Sequence, residues 1–196
     1  MSRHVQPEWA MVTVLFVDIR GFTTFADRST AREAVAYLNE FFGLVIPILE
    51  GHGGHANKLL GDGILGVFGA PERLPDHADR ALAAAVDTLA AVESQLGERC
   101  RVGIGMNSGL VLVGTIGGGG VAEYGVIGDP VNVAARIQDA TRALREPLLL
   151  TEATRCLIDD TETRLKTRGS LMLKGKSEPV TIYGLGSRNA SRTPLT

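Results

Sequence analysis

Cysteine occurs only twice in the 196 residues, at Cys100 and Cys156. Two are too few for a disulfide framework and have no metal-ligand spacing, so they read as reduced thiols of a cytosolic, cytoplasmic domain. An excess of charge of one sign is also missing: 20 Lys and Arg stand against 22 Asp and Glu, a formal net charge of −2. That balance lacks the basic footprint of a nucleic-acid binder, and a polyanionic ligand would need local positive charge instead. No apolar run approaches the ~20 residues of a transmembrane helix, and the nearest, Phe41 to Leu49, is interrupted by Gly43 and Pro47. The stretch Met1–Trp9 is short and polar, contains Pro7, and does not read as a signal peptide. No membrane contact is expected of this chain. The G-x-x-x-x-G-K-[ST] phosphate loop is absent, and His52 and His55 lack the H-E-x-x-H arrangement of a zinc site.

What remains is ordinary for a globular protein, with 44% hydrophobic and 21% charged residues. The length suits one domain, placed at 8–186 with flexible tails at 1–7 and 187–196. "MVTVLFVDI", residues 11–19, is a nearly continuous β-branched run, as expected of a central strand covered on both faces, and it ends in Asp18. Thr30 and Glu33 have capping-box spacing, so a helix should start near Thr30 and run to about Leu49. "HANKLLGDGILGVFGAP", residues 55–71, reads as a β-hairpin with Asp62 at its turn between Gly61 and Gly63. A second helix is expected from Asp76 to Leu96. "RVGIGMNSGLVLVGTIG", 101–117, reads as two strands around a glycine-containing turn. A helix with Pro130 near its first turn follows, then "PLLLT", a short helix over 152–158, "RLKTRGSLML" and "VTIYGL". Strands and helices interleave without strict βαβ alternation, which favours an α+β or ferredoxin-like sheet over a doubly wound one.

Several polar residues have two readings at this stage. Asp18 ends a buried run, where a carboxylate is costly unless paired, hydrogen-bonded or metal-bound. It either caps the following turn or joins Asp62 in holding a divalent cation, and Asp62 itself is otherwise a common hairpin aspartate. "DIRGFTTF" offers glycine-containing backbone between strand and helix, where amides can face phosphate oxygens. Asn132 and Arg136, four apart, share a helix face: a polar surface, or a neutral donor and a fixed cation reaching one anionic group. Lys174 and Lys176 are either solvated turn lysines or ligands.

Taken together, "FVDIRGFT", "NKLLGDG", "GIGMNSG", "YGVIGDPVNVAARI" and "LKGKSEPVTIYGL" occur in the order found in class III adenylyl and guanylyl cyclase catalytic domains, which the chain resembles from about Glu8 to Leu185. The resemblance implies a ferredoxin-like βαββαβ core, an antiparallel-rich sheet, and a head-to-tail homodimer with active sites in the cleft between subunits. It implies that Asp18 and Asp62 bind two Mg²⁺ or Mn²⁺ ions per site, with the backbone carbonyl of Ile19. Backbone from Arg20 through Gly21 and Phe22 to Thr23 would line the triphosphate. From the other subunit, Asn132 would orient the ribose, Arg136 would stabilise charge on the α-phosphate, Lys58 would select the base and Lys174 would contact phosphate.

One departure stands out. The residue seven before Asn132, an Asp or Thr in relatives, is Gly125, and "GGGGVAE" before it lacks an arginine that many relatives carry. Glycine cannot accept from the adenine amino group, so ATP is expected to be preferred only moderately, with GTP as a second substrate. Glu123 or Tyr124 could substitute. The expectation is an adenylyl cyclase producing cyclic AMP, joined in a longer protein to a regulatory domain. The alternative is a degenerate cyclase-like module that binds nucleotide or a partner domain without turnover.

Overall fold

A computed structural model describes residues 6–118, 121–160 and 163–186. Of the expected tails, 1–5 and 187–196 lie outside the described residues, as do 119 and 120 of the glycine-rich segment. The apolar N-terminal run forms β1 (Glu8–Ile19). Gly21, in the left-handed region at φ 78°, turns the chain into the short α1 (Phe22–Ala26). Thr30 then caps α2 (Ala31–Gly51) with the anticipated reciprocal box: its hydroxyl accepts from the Glu33 amide, and the Glu33 carboxylate accepts from the Thr30 amide. By length and composition α2 is apolar enough to cross a membrane, although no single apolar run in the sequence is that long. Its buried residues, Phe41, Val45 and Leu49, recur every fourth position and pack into the core, the stripe of a core-facing helix.

The hairpin forms as expected from β2 (His55–Leu60) and β3 (Gly63–Phe68), with Gly61 and Asp62 at its tip. The second helix is α3 (His77–Ala91), and Val92–Leu96 continues it as a π-helical turn. After it come β4 (Val102–Gly118), β5 (Val121–Ile127) and α4 (Asp129–Leu144), which has Pro130 in its first turn. The chain closes with β6 (Leu148–Thr151), α5 (Glu152–Arg155), β7 (Leu165–Leu171) and β8 (Val180–Leu185).

The strand order is β2-β3-β1-β4-β6-β8-β7, with β5 paired to the far half of β4. The first four strands are antiparallel neighbours and α2 and α3 cross between them, which is the βαββαβ ferredoxin-like unit. Along β1 the faces alternate. Leu15, Val17 and Ile19 pack with Phe41, Leu82, Ile104 and Met106 under α2 and α3. Val12 and Val14 pack with Leu65, Val67, Val111 and Ala134 on the α4 side.

One expectation is corrected. The segment read as two strands around a turn is a single strand of 17 residues, β4. Its glycines give clearance instead of a turn. A Cβ on Gly105 would lie 2.2 Å from the Gln138 amide nitrogen, one on Gly103 2.3 Å from Thr141 Oγ1, and one on Gly109 2.6 Å from Pro130 Cγ. α4 therefore lies directly on the strand backbone, an approach only glycine allows.

A paired substitution tests this. Gly105→Ala pushes against helix backbone and should cost ~1–3 kcal/mol or more. Gly43→Ala, inside α2 with nothing within 4 Å of the added methyl, should gain ~0.5–1 kcal/mol. Thermal unfolding should move in opposite directions for the two variants; a neutral Gly105→Ala would contradict the packing described.

Candidate active site

Asp18 lies one residue from the end of β1, opposite Gly63 on one side and Gly103 on the other. Gly63 makes room for it: a Cβ there would stand 3.1 Å from Asp18 Oδ1 and 3.0 Å from the Val17 carbonyl. The β2–β3 hairpin delivers Asp62 to the same place, where its carbonyl accepts from the Ile19 amide at 3.4 Å. Burial, then the charge of Asp62, then that of Asp139 push the Asp18 pKa up to about 6. Asp18 does not cap the turn after β1: Gly21 is the cap residue of α1, and no side chain bonds to the helix's first amides. Among the described residues, neither the Asp18 nor the Asp62 carboxylate has a hydrogen bond or ion pair. Two carboxylates and nearby backbone oxygen are the hard donors that Mg²⁺ or Mn²⁺ would take.

Next to the carboxylates, the Arg20 amide donates to the Arg101 carbonyl at 2.7 Å. The Arg20 guanidinium turns away and donates to the carbonyls of Thr141, at 3.1 Å, and Glu146, at 2.5 Å, at the end of α4. Burial and the neighbouring Arg101 and Arg142 charges lower its pKa. Arg20 thus contributes a brace, and only the backbone of Arg20–Thr23 remains at the strand end. Phe22 stacks on Tyr37, with centroids 6.3 Å apart, and Phe25 packs on the same ring at 4.8 Å, pinning α1 to α2. The sequence reading missed Arg101, Arg142 and Asp139. The three arginines supply local positive charge, but Arg101 is placed only by the register that sets Ile19 opposite Val102.

A second group gathers around the first half of α4. Asn132 is exposed there and Arg136, one turn on, is half-buried. The Arg136 guanidinium lies over the 174–176 turn, where a Cβ on Gly175 would be 3.8 Å from Nη1. Lys176 pairs with Asp129, and Lys174 is exposed. Arg136 therefore neighbours the turn that carries Lys174, and Asn132 lies one helical turn before Arg136 on α4. Among the described residues, no hydrogen bond or ion pair joins them to Asp18 or Asp62.

The third group spans β2 and β5. Lys58 Nζ lies 2.5 Å from Glu123 Oε1. A β-bulge at Asn57 breaks the β2–β3 register, and the Asn57 amide donates to the Tyr124 carbonyl at 2.8 Å. Gly125 is buried, and a Cβ there would meet Ile116 Cδ1 at 2.0 Å. The missing base-contact side chain at 125 thus leaves no opening, because Ile116 occupies its place.

Asp18 also yields a pH prediction. A carboxyl whose folded pKa is raised costs stability once ionised, above about 6, and costs nothing below its unfolded value of ~3.9, where it is protonated in both states. Partial exposure cuts that cost to ~1 kcal/mol. In a chelating buffer at pH 7, Asp18→Asn should therefore melt ~2–4 °C above the unsubstituted protein. The advantage should shrink as the pH falls through 6 and vanish near 4. An equal difference at both ends would refute it.

Comparison with known proteins follows the same outline. Residues 5–186 match the family described as the adenylate and guanylate cyclase catalytic domain. An uncharacterised protein of Mycobacterium tuberculosis is 36% identical over 172 residues, covering 87% of this chain and 32% of its own length. The chain therefore spans about a third of the length of the curated relatives it matches. The crystal structure of the adenylyl cyclase CyaB from P. aeruginosa superposes with a TM-score of 0.83 at 26% identity, over 97% of this chain and 100% of that one. That of the guanylyl cyclase Cya2 does so with a TM-score of 0.78 at 31% identity, over 93% of each. With a family match over residues 5–186 and structures that superpose over nearly its whole length, the chain belongs to the family of adenylate and guanylate cyclase catalytic domains.

Proposed function

We propose that this domain is an adenylyl cyclase that converts ATP to 3′,5′-cyclic AMP and pyrophosphate, with GTP as a second substrate. It works as a head-to-tail homodimer with sites shared between subunits, and sits beside a regulatory domain in a longer protein. The observation that carries this reading is the placing of two chemical groups on different elements: Asp18 and Asp62 at the end of β1 and the β2–β3 turn, and Asn132, Arg136 and Lys174 on the first half of α4 and the turn facing it. Among the described residues no hydrogen bond or ion pair joins the two groups, as expected if each serves a centre shared with a second copy.

In that centre the 3′-oxygen forms a bond to the α-phosphorus while the bond to the bridging oxygen breaks and pyrophosphate leaves. Asp18, Asp62 and the Ile19 carbonyl would hold Mg²⁺ or Mn²⁺. Bound there, the cations supply charge neutralisation and a lowered pKa for a coordinated oxygen. In the Arg20–Thr23 backbone the Arg20 amide is committed to Arg101, while the amides of the first turn of α1, fixed by the aromatic contacts of Phe22 and Phe25, have no earlier helical carbonyl to bond. These first-turn amides donate to triphosphate oxygens. Asn132 orients the ribose, and Arg136 offers a planar, permanently charged fork to the α-phosphate as charge develops. Lys174 adds a cation beside it, and Lys58 donates to the purine. The matched structures include an adenylyl and a guanylyl cyclase, and Gly125 removes one acceptor, so moderate rather than strict preference for ATP follows.

Assay of cyclic nucleotide from ATP or GTP with Mg²⁺ or Mn²⁺ should give cyclic AMP and slower cyclic GMP. Silence in all four mixtures would leave the non-catalytic module as the reading. Arg136→Ala should lower kcat by ~10²–10³-fold. Mixing Asp18→Ala with Arg136→Ala chains should rebuild one intact site per heterodimer; no recovery from demonstrated heterodimers would rule out shared sites.

A further inference from the structure

Position 125 carries no side chain, yet β5 does present a carboxylate two residues earlier on the same face. Glu123 and Gly125 alternate with Tyr124, and Ile116 on β4 lies directly opposite Glu123 in the ladder. Ile116 leans over Gly125, with Cδ1 and Cγ1 at 2.0 and 2.6 Å from where a Cβ would be. Any larger residue at 125 would have to displace it. Glu123 reaches Lys58 instead, at 2.5 Å. Lys58 is the residue that the family resemblance ties to the base.

The contact does not depend on the ion pair alone. The bulge at Asn57 aims its amide at the Tyr124 carbonyl, re-aiming being a usual effect of such bulges. His55 packs edge-on against Tyr124, with ring centroids 6.1 Å apart. Tyr124 is thereby held to β2 by His55 and Asn57, the residues just before Lys58. An exposed ion pair adds little stability, so the backbone clamp, and not mutual attraction, sets this geometry. The Lys58 and Glu123 side chains remain 35% and 57% exposed, within reach of a ligand.

We propose that Glu123 is the base-reading acceptor of this site, paired with Lys58 as donor, while Ile116 closes the space behind Gly125. The proposal rests on the nucleotide-cyclase reading above. Adenine presents a ring-nitrogen acceptor next to an amino donor, and guanine a carbonyl acceptor next to a ring N–H donor. One cationic donor next to one carboxylate acceptor matches either edge. The pair therefore selects purines while separating ATP from GTP only weakly, which is the selectivity a bare Gly125 leaves to be explained.

The test is calorimetric binding of α,β-methylene ATP and GTP, which cannot release pyrophosphate, alongside inorganic triphosphate, to the intact chain with Mg²⁺. Glu123→Ala should raise the Kd of both purine analogues by ~10–100-fold and leave triphosphate within about twofold. Glu123→Gln keeps an acceptor oxygen and should lose less than ~10-fold. Unchanged purine binding in Glu123→Ala, equal loss of all three ligands, or no purine binding by the unsubstituted chain would each overturn the proposal. If the unsubstituted chain binds purines through Glu123 yet forms no cyclic nucleotide, the cyclase reading fails and the base-reading pair stands.

Discussion

All 12 residues of β1 pair with β4, from Glu8 opposite Val113 to Ile19 opposite Val102. Slipping that ladder by one residue would send Leu15 and Val17 to the α4 face and exchange the two cores. It would also place Asp18 opposite Val102 or Ile104 instead of Gly103, and move Gly103 away from the Thr141 hydroxyl it makes room for. Core and candidate site are therefore set by the same register, and neither can vary without the other. The β3 side adds its own constraint, since a Cβ at Gly63 would crowd Asp18 Oδ1 and the Val17 carbonyl, at 3.1 and 3.0 Å.

α4 is located from both ends. At its start, the Asn107 amide donates to the Pro130 carbonyl at 3.1 Å, and the Thr151 hydroxyl donates to Asn107 at 2.6 Å. At its end, Arg20 donates to Thr141 and Glu146. Between them, the glycines of β4 let the helix rest on strand backbone. The same buried polar chain runs on through Thr154 and Ser108 to Thr13, whose hydroxyl meets His77 Nδ1 at 2.7 Å. Burial lowers the His77 pKa, so the ring stays neutral and usable as a hydrogen-bond partner. Buried hydroxyls that satisfy one another in this way fix positions more than they add stability. Here the position they fix is that of the helix carrying Asn132 and Arg136.

Local chemistry was legible in the sequence and long-range contact was not. Thr30 with Glu33, Gly61-Asp62-Gly63 and the β-branched run ending in Asp18 each act within a few residues, so their spacing carried their meaning. The glycines at 103, 105 and 109 act against residues some 20 to 40 positions away, and a glycine that clears a helix looks the same in sequence as one that makes a turn. Arg20 was legible as part of a phosphate-facing backbone, but its side-chain partners, Thr141 and Glu146, come from the far end of another helix. Glu123 could be named from the sequence only as an alternative to Tyr124. Its role depends on a bulge at Asn57 and on an isoleucine across the ladder, neither visible from its neighbours.

The raised pKa of Asp18 shows where the molecule tolerates an unfavourable arrangement. A buried Asp18 carboxylate beside the charge of Asp62 opposes folding once ionised, and a ligand that binds only the folded chain offsets that opposition by mass action. The strain sits at a strand end, beside two glycines and a turn, where Ile19 and the buried residues before it hold the backbone regardless. On the proposed arrangement, Asp18 and Arg136 of one chain serve different catalytic centres. The register that holds Asp18 also seats α4 on β4, so a disturbance of the β1–β4 ladder would weaken the metal half of one site and the phosphate half of the other together.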